Sequence, residues 1–168
     1  IIKVTGPCGP NSRSAVLAPG FIPGLDIPDG EIRFEFKVVT GHDRAELFVG
    51  FRGILNENCY LGYELDAVPG QGEMRIRKYA VGCEPSSAVA GRADLRASFH
   101  RDDWNNLAIR LHGANQWVFL NDVLVLSVAD STFDRGAIMI GVARLGNLGD
   151  TAESAIVIRN LRVSQLAP

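Results

Sequence analysis

Ile-Arg-Phe-Glu-Phe-Lys-Val, residues 32–38, alternates strictly between apolar and polar side chains. Successive side chains of a β-strand point to opposite faces, so this stretch predicts a strand with one buried face. The same alternation recurs after it, at 46–51, 60–66, 74–79, 107–111, 117–120, 123–128, 137–143 and 155–163. Turn-forming residues separate these segments, including the pair Asn121-Asp122, which favours positive φ and a tight hairpin. No long segment has a 3.6-residue period, so the sequence predicts an all-β antiparallel two-sheet sandwich of about nine or ten strands.

Length and composition predict one domain over residues 1–168. Of the 168 residues, 46% are hydrophobic and 21% charged, which is ordinary for a folded globular chain and argues against disorder. Residues 1–30 are rich in proline and glycine and predict an extended leader with one edge strand around Ala15–Leu17. Residues 83–98 break the alternation and predict a loop.

Charge and hydropathy exclude several classes of partner. The net charge is −2 and no basic stripe is present, so we expect no nucleic-acid partner. The strongest apolar run, 123–128, is too short to span a bilayer, which predicts no membrane insertion. The chain does not begin with methionine and shows no signal-peptide pattern, so we expect a mature chain or an excised domain.

The three cysteines, Cys8, Cys59 and Cys83, leave two states open. They fit one disulfide plus a free thiol, or three buried thiols, and Cys83 could pair with either Cys59 or Cys8. Their spacing does not match a zinc site, which uses close pairs of cysteines.

One predicted surface groups rings, carboxylates and guanidinium groups. If Leu47, Leu65 and Ile76 point into the core, the opposite face of the same strands carries Glu46, Phe48, Arg52, Tyr60, Glu64, Asp66, Arg75, Arg77 and Tyr79. Sugar recognition uses this combination, because rings stack on apolar sugar faces and bidentate groups bind hydroxyls. The alternative is an ordinary solvated sheet with cross-strand ion pairs.

Several runs carry a family resemblance: residues 59–66 (CYLGYELD), 72–79 (GEMRIRKY), 104–109 (WNNLAI), 118–123 (VFLNDV) and 157–163 (VIRNLRV). Over about residues 30–165 the chain resembles the concanavalin A-like lectin/glucanase superfamily, in particular its bacterial laminin G-like and keto-disaccharide-hydrolase-like branches. The resemblance implies a jelly-roll sandwich and recognition of a sugar or a protein outside the cytoplasm. In this pattern we expect Trp104 to cap one end of the core, and Leu161 and Val163 to close it.

Catalytic and metal signatures are incomplete. Laminarinase-type members of the superfamily carry Glu-x-Asp-x-Glu, and Glu64-Leu65-Asp66 begins that motif, but Val68 or Pro69 stands at the third acid. No Gly-x-Ser-x-Gly nucleophile elbow is present, and His42, His100 and His112 are scattered. Several members of the superfamily carry calcium. Two oxygen-rich loops of this chain could hold it, one with Asn147, Asp150 and Glu153 and one with Asp130 and Asp134. We otherwise expect no cofactor and assign no catalytic residue.

These observations favour a non-catalytic, extracytoplasmic or secreted binding module with a carbohydrate ligand. The predicted ligand-binding residues are Glu46, Arg52, Tyr60, Glu64, Asp66, Arg75, Arg77 and Tyr79. Two alternatives remain: a hydrolase of glycosidic bonds acting through Glu64 and Asp66, and an adhesion domain that binds protein through the sheet.

Overall fold

The computed structural model describes residues 2–4, 13–16, 26–56, 59–79, 89–145 and 153–165. In chain order the strands are β1 (Ile2–Val4), β2 (Arg13–Val16), β3 (Gly30–Thr40), β4 (Ala45–Asn56), β5 (Cys59–Val68), β6 (Glu73–Tyr79), β7 (Val89–Asp94), β8 (Asn105–His112), β9 (Asn115–Leu120), β10 (Val123–Ala129), β11 (Ala137–Leu145) and β12 (Ser154–Gln165). A 3₁₀ turn, Pro69–Gln71, joins β5 to β6. Within the described ranges no helix is long and apolar enough to cross a bilayer.

The strands form two six-stranded sheets, and all the described pairings are antiparallel. The first sheet has the order β1-β12-β3-β8-β9-β10 and the second the order β2-β11-β4-β5-β6-β7. This confirms the predicted antiparallel sandwich. The tight hairpin is also confirmed, because Asn121 and Asp122 both have positive φ, 51° and 64°.

The core lies between the inward faces of the two sheets. Alternate residues of β3, beginning at Ile32 and ending at Val38, are almost fully buried, as the alternation predicts. From the second sheet Leu47, Leu65 and Ile76 meet them. Full burial of each large apolar side chain contributes about 1.5–3 kcal/mol, so this core between the sheets accounts for much of the stability.

A polar contact ties the second sheet to the connection after β10. The Tyr63 hydroxyl donates to Asp130 Oδ1 at 2.5 Å, and Lys78 Nζ lies 2.8 Å from Asp130 Oδ2. Burial alone would raise the pKa of Asp130, but hydrogen bonds from Lys78, Thr132 and Tyr63 outweigh it and hold that pKa well below its usual range. Asp130 therefore takes part in this contact between the second sheet and the connection. Among the described residues, no three Asp, Glu, His or Cys side chains lie close enough together to hold a metal ion.

Two local predictions about strands were wrong. Residues 89–94, expected in a loop, form β7, whose alternation is masked by small and charged residues. The leader contributes two strands rather than one, since β1 pairs with β12 and β2 pairs with β11.

The end of β12 also departs from expectation. A β-bulge between Arg159 and Arg162, with Asn160 at φ 55°, breaks the inward–outward alternation. Leu161 is consequently 40% exposed, while Val163 packs against the core. Trp104 is only partly buried, and its ring lies under the Arg159 guanidinium at 3.7 Å from the ring centroid.

Candidate functional site

The outward side of β4, β5 and β6 brings most of the predicted binding residues together. Strand register places Asp66 opposite Phe48 on one side and opposite Arg75 on the other, and it pairs Glu64 with Arg77. We call this surface the polar face; its members are Glu46, Phe48, Glu64, Asp66, Arg75, Arg77 and Tyr79. It forms because Leu47, Leu65 and Ile76 turn inward, as predicted.

Two arginines and two carboxylates form a charge network on the polar face. Arg75 Nε lies 3.0 Å from Asp66 Oδ2, and Arg77 Nε contacts the same oxygen. Glu46 Oε1 lies 3.7 Å from a terminal nitrogen of each arginine. Glu46 and Asp66 make further contacts in addition to these. The network therefore holds both guanidinium groups side by side along β6.

Burial distinguishes this face from an ordinary solvated sheet. Glu46 and Asp66 are completely buried and Glu64 nearly so, so the cross-strand ion pairs of the alternative interpretation are present but their carboxylates are not solvated. The arginine side chains retain more exposure, 20% at Arg75 and 15% at Arg77. A buried charge is costly unless it is paired, so the carboxylates fix the arginines, whose outer edges are the accessible polar part of the face.

A second polar pair lies next to the network on the same strands. The Tyr79 hydroxyl donates to Glu64 Oε1 at 2.8 Å, and both side chains are largely buried. Cross-strand register places Glu64 opposite Arg77, which makes the pair continuous with the charge network. An aromatic ring, a carboxylate and a guanidinium group thus lie side by side.

An apolar cluster adjoins the charges, and the sequence indicated only one of its members. Phe48 packs with Met139 and Ala143 of β11, and all three are buried. Gly141 lies directly opposite Phe48, and a Cβ there would come within 2.2 Å of the Phe48 ring. The ring therefore rests on bare backbone. Alternation within β11 indicates that Met139 and Ala143 point outward, but it does not predict that they contact Phe48.

Arg52 does not belong to the polar face, and its predicted placement was wrong. The register of β4 shifts between Phe51 and Ile54, and Arg52 has φ 49°, so its side chain leaves the face. Its guanidinium group is buried and donates to the carbonyls of Pro28, at 2.9 and 2.6 Å, and of Gly113, at 2.7 Å. Arg52 is thus a structural cross-link between the sheets.

Several predictions fall outside what the structure describes. The side chains of Tyr60 and Cys59 are not described, and Cys8, Cys83, Asn147 and Asp150 lie outside the described ranges. The disulfide alternatives and the calcium loop at 147–153 therefore stay predictions.

Comparison with known proteins identifies a matching family and several structures that share the fold. Residues 24–164 match the family described as the 3-keto-alpha-glucoside-1,2-lyase-like domain. No curated protein sequence matches the chain.

Three solved structures illustrate the fold relationship. The carbohydrate-binding module CBM66 from Bacillus subtilis is 18% identical with a TM-score of 0.63; the match covers 92% of this chain and 83% of that one. Sheep galectin-11 is 11% identical with a TM-score of 0.54, covering 88% and 96%. LamAcat from Zobellia galactanivorans is 13% identical with a TM-score of 0.58, covering 84% and 66%. At these identities the likeness establishes a shared fold, the jelly-roll sandwich, and together with the family match it confirms the predicted resemblance to the concanavalin A-like superfamily.

Proposed function

The chain belongs to the family of 3-keto-alpha-glucoside-1,2-lyase-like domains, and from this premise we propose that it binds carbohydrate through the polar face. The observation that carries the proposal is the pair of fixed, partly exposed guanidinium groups of Arg75 and Arg77. Rigid guanidinium edges donate to hydroxyl oxygens without losing much side-chain entropy on binding.

The neighbouring groups supply the other contacts that a sugar needs. Glu64 and Tyr79 place a carboxylate and a phenol beside Arg77, so acceptor and donor groups lie close together on the face. A pyranose presents both kinds of group around its ring, and a few placed polar groups fix its orientation. The fold relatives support this assignment, since one is a carbohydrate-binding module by description.

The test is a sugar screen with matched arginine variants. We expect Arg77→Gln and Arg75→Gln to weaken binding of the best sugar about ten- to hundredfold, because each loses a charged hydrogen bond worth about 1.5–3 kcal/mol. Arg110→Gln is the control, since Arg110 is also paired with a carboxylate, Glu31, but lies on the other sheet. Isothermal titration calorimetry gives the affinities, and circular dichroism verifies folding.

Two outcomes would contradict the proposal. One is a screen of neutral and charged sugars in which nothing binds. The other is a sugar whose affinity falls equally in Arg77→Gln and Arg110→Gln, which would indicate that the polar face has no specific role in binding that sugar.

A catalytic role is the second candidate, and the Glu64–Tyr79 pair favours it. The family description names a lyase acting across C1 and C2 of a 3-keto-α-glucoside. In such an elimination a base removes the C2 proton, the electron pair of that C–H bond forms a C1=C2 double bond, and the C1–O bond breaks so that the leaving oxygen takes up a proton. Glu64 would serve as the base and the Tyr79 hydroxyl as the proton donor.

Turnover of a 3-keto-α-glucoside distinguishes the two functions. Product release that disappears in Glu64→Gln, with sugar affinity retained, would establish catalysis over simple binding. Sugar binding without turnover in the parent protein would reject the lyase candidate.

We also propose an extracytoplasmic location, which fractionation of the native cells would test.

A further inference from the structure

Three connections converge at one end of the sandwich, and none of them contains a residue of the polar face. They are the β3–β4 turn at 41–44, the 3₁₀ turn Pro69–Gln71 and the β7–β8 connection at 95–104. Together they enclose a cleft of about 280 Å³, lined by His42, Pro69, Gly70, Arg96, Phe99 and Arg101. Loops held by a rigid sheet framework are common places for binding sites.

The apolar wall of the cleft is held firmly in place. Phe99 stacks on the core ring of Phe36, with centroids 6.2 Å apart and planes 23° from parallel. Gly70 packs against the neighbouring turn so closely that a Cβ would come within 2.3 Å of Asp43 Cα. These contacts therefore fix the position of the wall before any ligand binds.

Arg96 is positioned at the rim although it is largely exposed. Its Nη2 donates to the carbonyl oxygen of Gln71 at 3.0 Å, and its Nη1 donates to Asp94 at the same distance. Its aliphatic stem crosses Gly72, where a Cβ would lie 2.7 Å from Arg96 Cγ. These contacts orient one guanidinium group before any ligand arrives.

Arg101 supplies a second guanidinium group, which is held by a weaker contact. Its Nη2 lies 3.5 Å from Asp43 Oδ1, longer than the roughly 2.7–2.9 Å of a charge-assisted hydrogen bond. The Asp43 carboxylate is itself 78% exposed, so water screens this pair. Arg101 is consequently able to exchange Asp43 for a ligand carboxylate at little cost.

His42 adds an unsatisfied polar atom to the cleft. Its Nε2 is buried and has no hydrogen-bond partner among the described residues; Asp102 Oδ1 lies 3.7 Å away, beyond hydrogen-bond distance. Buried polar atoms without partners are rare, and each one raises the question of what satisfies it. A ligand hydroxyl or carboxylate in the cleft would do so.

We propose that this cleft is a second binding site, for a single carboxylate-bearing sugar ring of the hexuronate class. Two guanidinium groups suit a carboxylate, and the Phe99 and Pro69 rings suit the apolar face of a pyranose. The cleft is smaller than the roughly 300–1,000 Å³ of sites for larger ligands, which matches one ring rather than an oligosaccharide. The inference goes beyond the polar face and shares no residue with it.

The test is a nitrogen–proton NMR titration with three probes. Glucuronate has both ring and carboxylate, glucose has only the ring, and acetate has only the carboxylate. We expect glucuronate to shift the amide signals of His42, Gly70 and Phe99 saturably, and to bind at least about tenfold more tightly than either simpler probe.

A matched pair of arginine variants tests the site itself. We expect Arg101→Gln to weaken glucuronate binding at least about tenfold. Arg135→Gln should leave it unchanged, although Arg135 is as exposed as Arg101, 61% against 63%, and has a similarly long contact with Asp26 at 3.6 Å. Both positions lie on the surface, so neither change threatens the fold.

Three results would overturn the proposal. The first is the absence of saturation at about 10 mM glucuronate, roughly ten times the 1 mM dissociation constant of a weak ligand. The second is equal weakening in Arg101→Gln and Arg135→Gln, which would indicate general charge attraction. The third is binding that persists in Arg101→Gln and disappears in Arg77→Gln, which would place glucuronate on the polar face.

Discussion

Replacing Asp66 with asparagine isolates the charge network of the polar face. The change keeps the side-chain shape, so it leaves no cavity and removes only the negative charge. Arg75 Nε is 3.0 Å from Asp66 Oδ2, and at an effective dielectric constant near 20 one such contact is worth about 5–6 kcal/mol before desolvation. Arg77 makes an equivalent contact with the same oxygen.

Two terms reduce the net loss of stability. The parent protein bears the cost of desolvating the Asp66 carboxylate, and the substitution removes that cost. In the variant both arginines also remain partly exposed to water and still lie 3.7 Å from Glu46. Breaking a buried ion pair typically costs about 3–5 kcal/mol, and we expect the lower value, about 3 kcal/mol, for Asp66→Asn. In a domain of this size that lowers the melting temperature by about 6–12 °C.

Urea denaturation followed by tryptophan fluorescence measures this loss, and an unchanged m-value would show that only stability has changed. Asp43→Asn is the control, because Asp43 is highly exposed and has a single long contact with Arg101, so we expect a loss below about 0.5 kcal/mol. A loss in Asp66→Asn as small as that in Asp43→Asn would refute the description of the polar face as a buried network.

Three other changes test the structure elsewhere. Arg52→Met should lower the unfolding free energy by about 3 kcal/mol or more, because carbonyl oxygens that accept from its guanidinium group lose their donors; Arg52→Lys should recover less than half, and full recovery would argue against the forked geometry. Gly141→Ala should cost about 1–3 kcal/mol through the clash with the Phe48 ring, and adding Phe48→Leu should restore part of it in the same urea assay. The pKa of Asp130 is lowered in the folded protein, so its contribution is complete above the unfolded pKa near 3.9 and declines as pH falls below it. Asp130→Asn should therefore lower stability more at about pH 6 than at about pH 3, and an equal loss at both would contradict this assignment.

Local alternation was enough to determine which side chains of the regular strands share a face. The core placement of Leu47, Leu65 and Ile76 follows from a two-residue period that each strand contains within itself. The positive φ of Asn121 and Asp122 follows equally from local turn preferences. Most of the polar face was therefore predictable before any strand was paired.

Only the tertiary structure decided the features that depend on distant parts of the chain. Arg52 left the polar face because a bulge shifts the register of β4, and its acceptors, Pro28 and Gly113, are remote in sequence. The burial of Glu46 and Asp66 likewise depends on packing that no single strand encodes. The cleft joins His42, Pro69 and Phe99 from three connections, which meet only after both sheets have formed. Alternation is a property of the local backbone, whereas register shifts, desolvation and loop convergence are set by long-range pairing, so they do not appear in the sequence pattern.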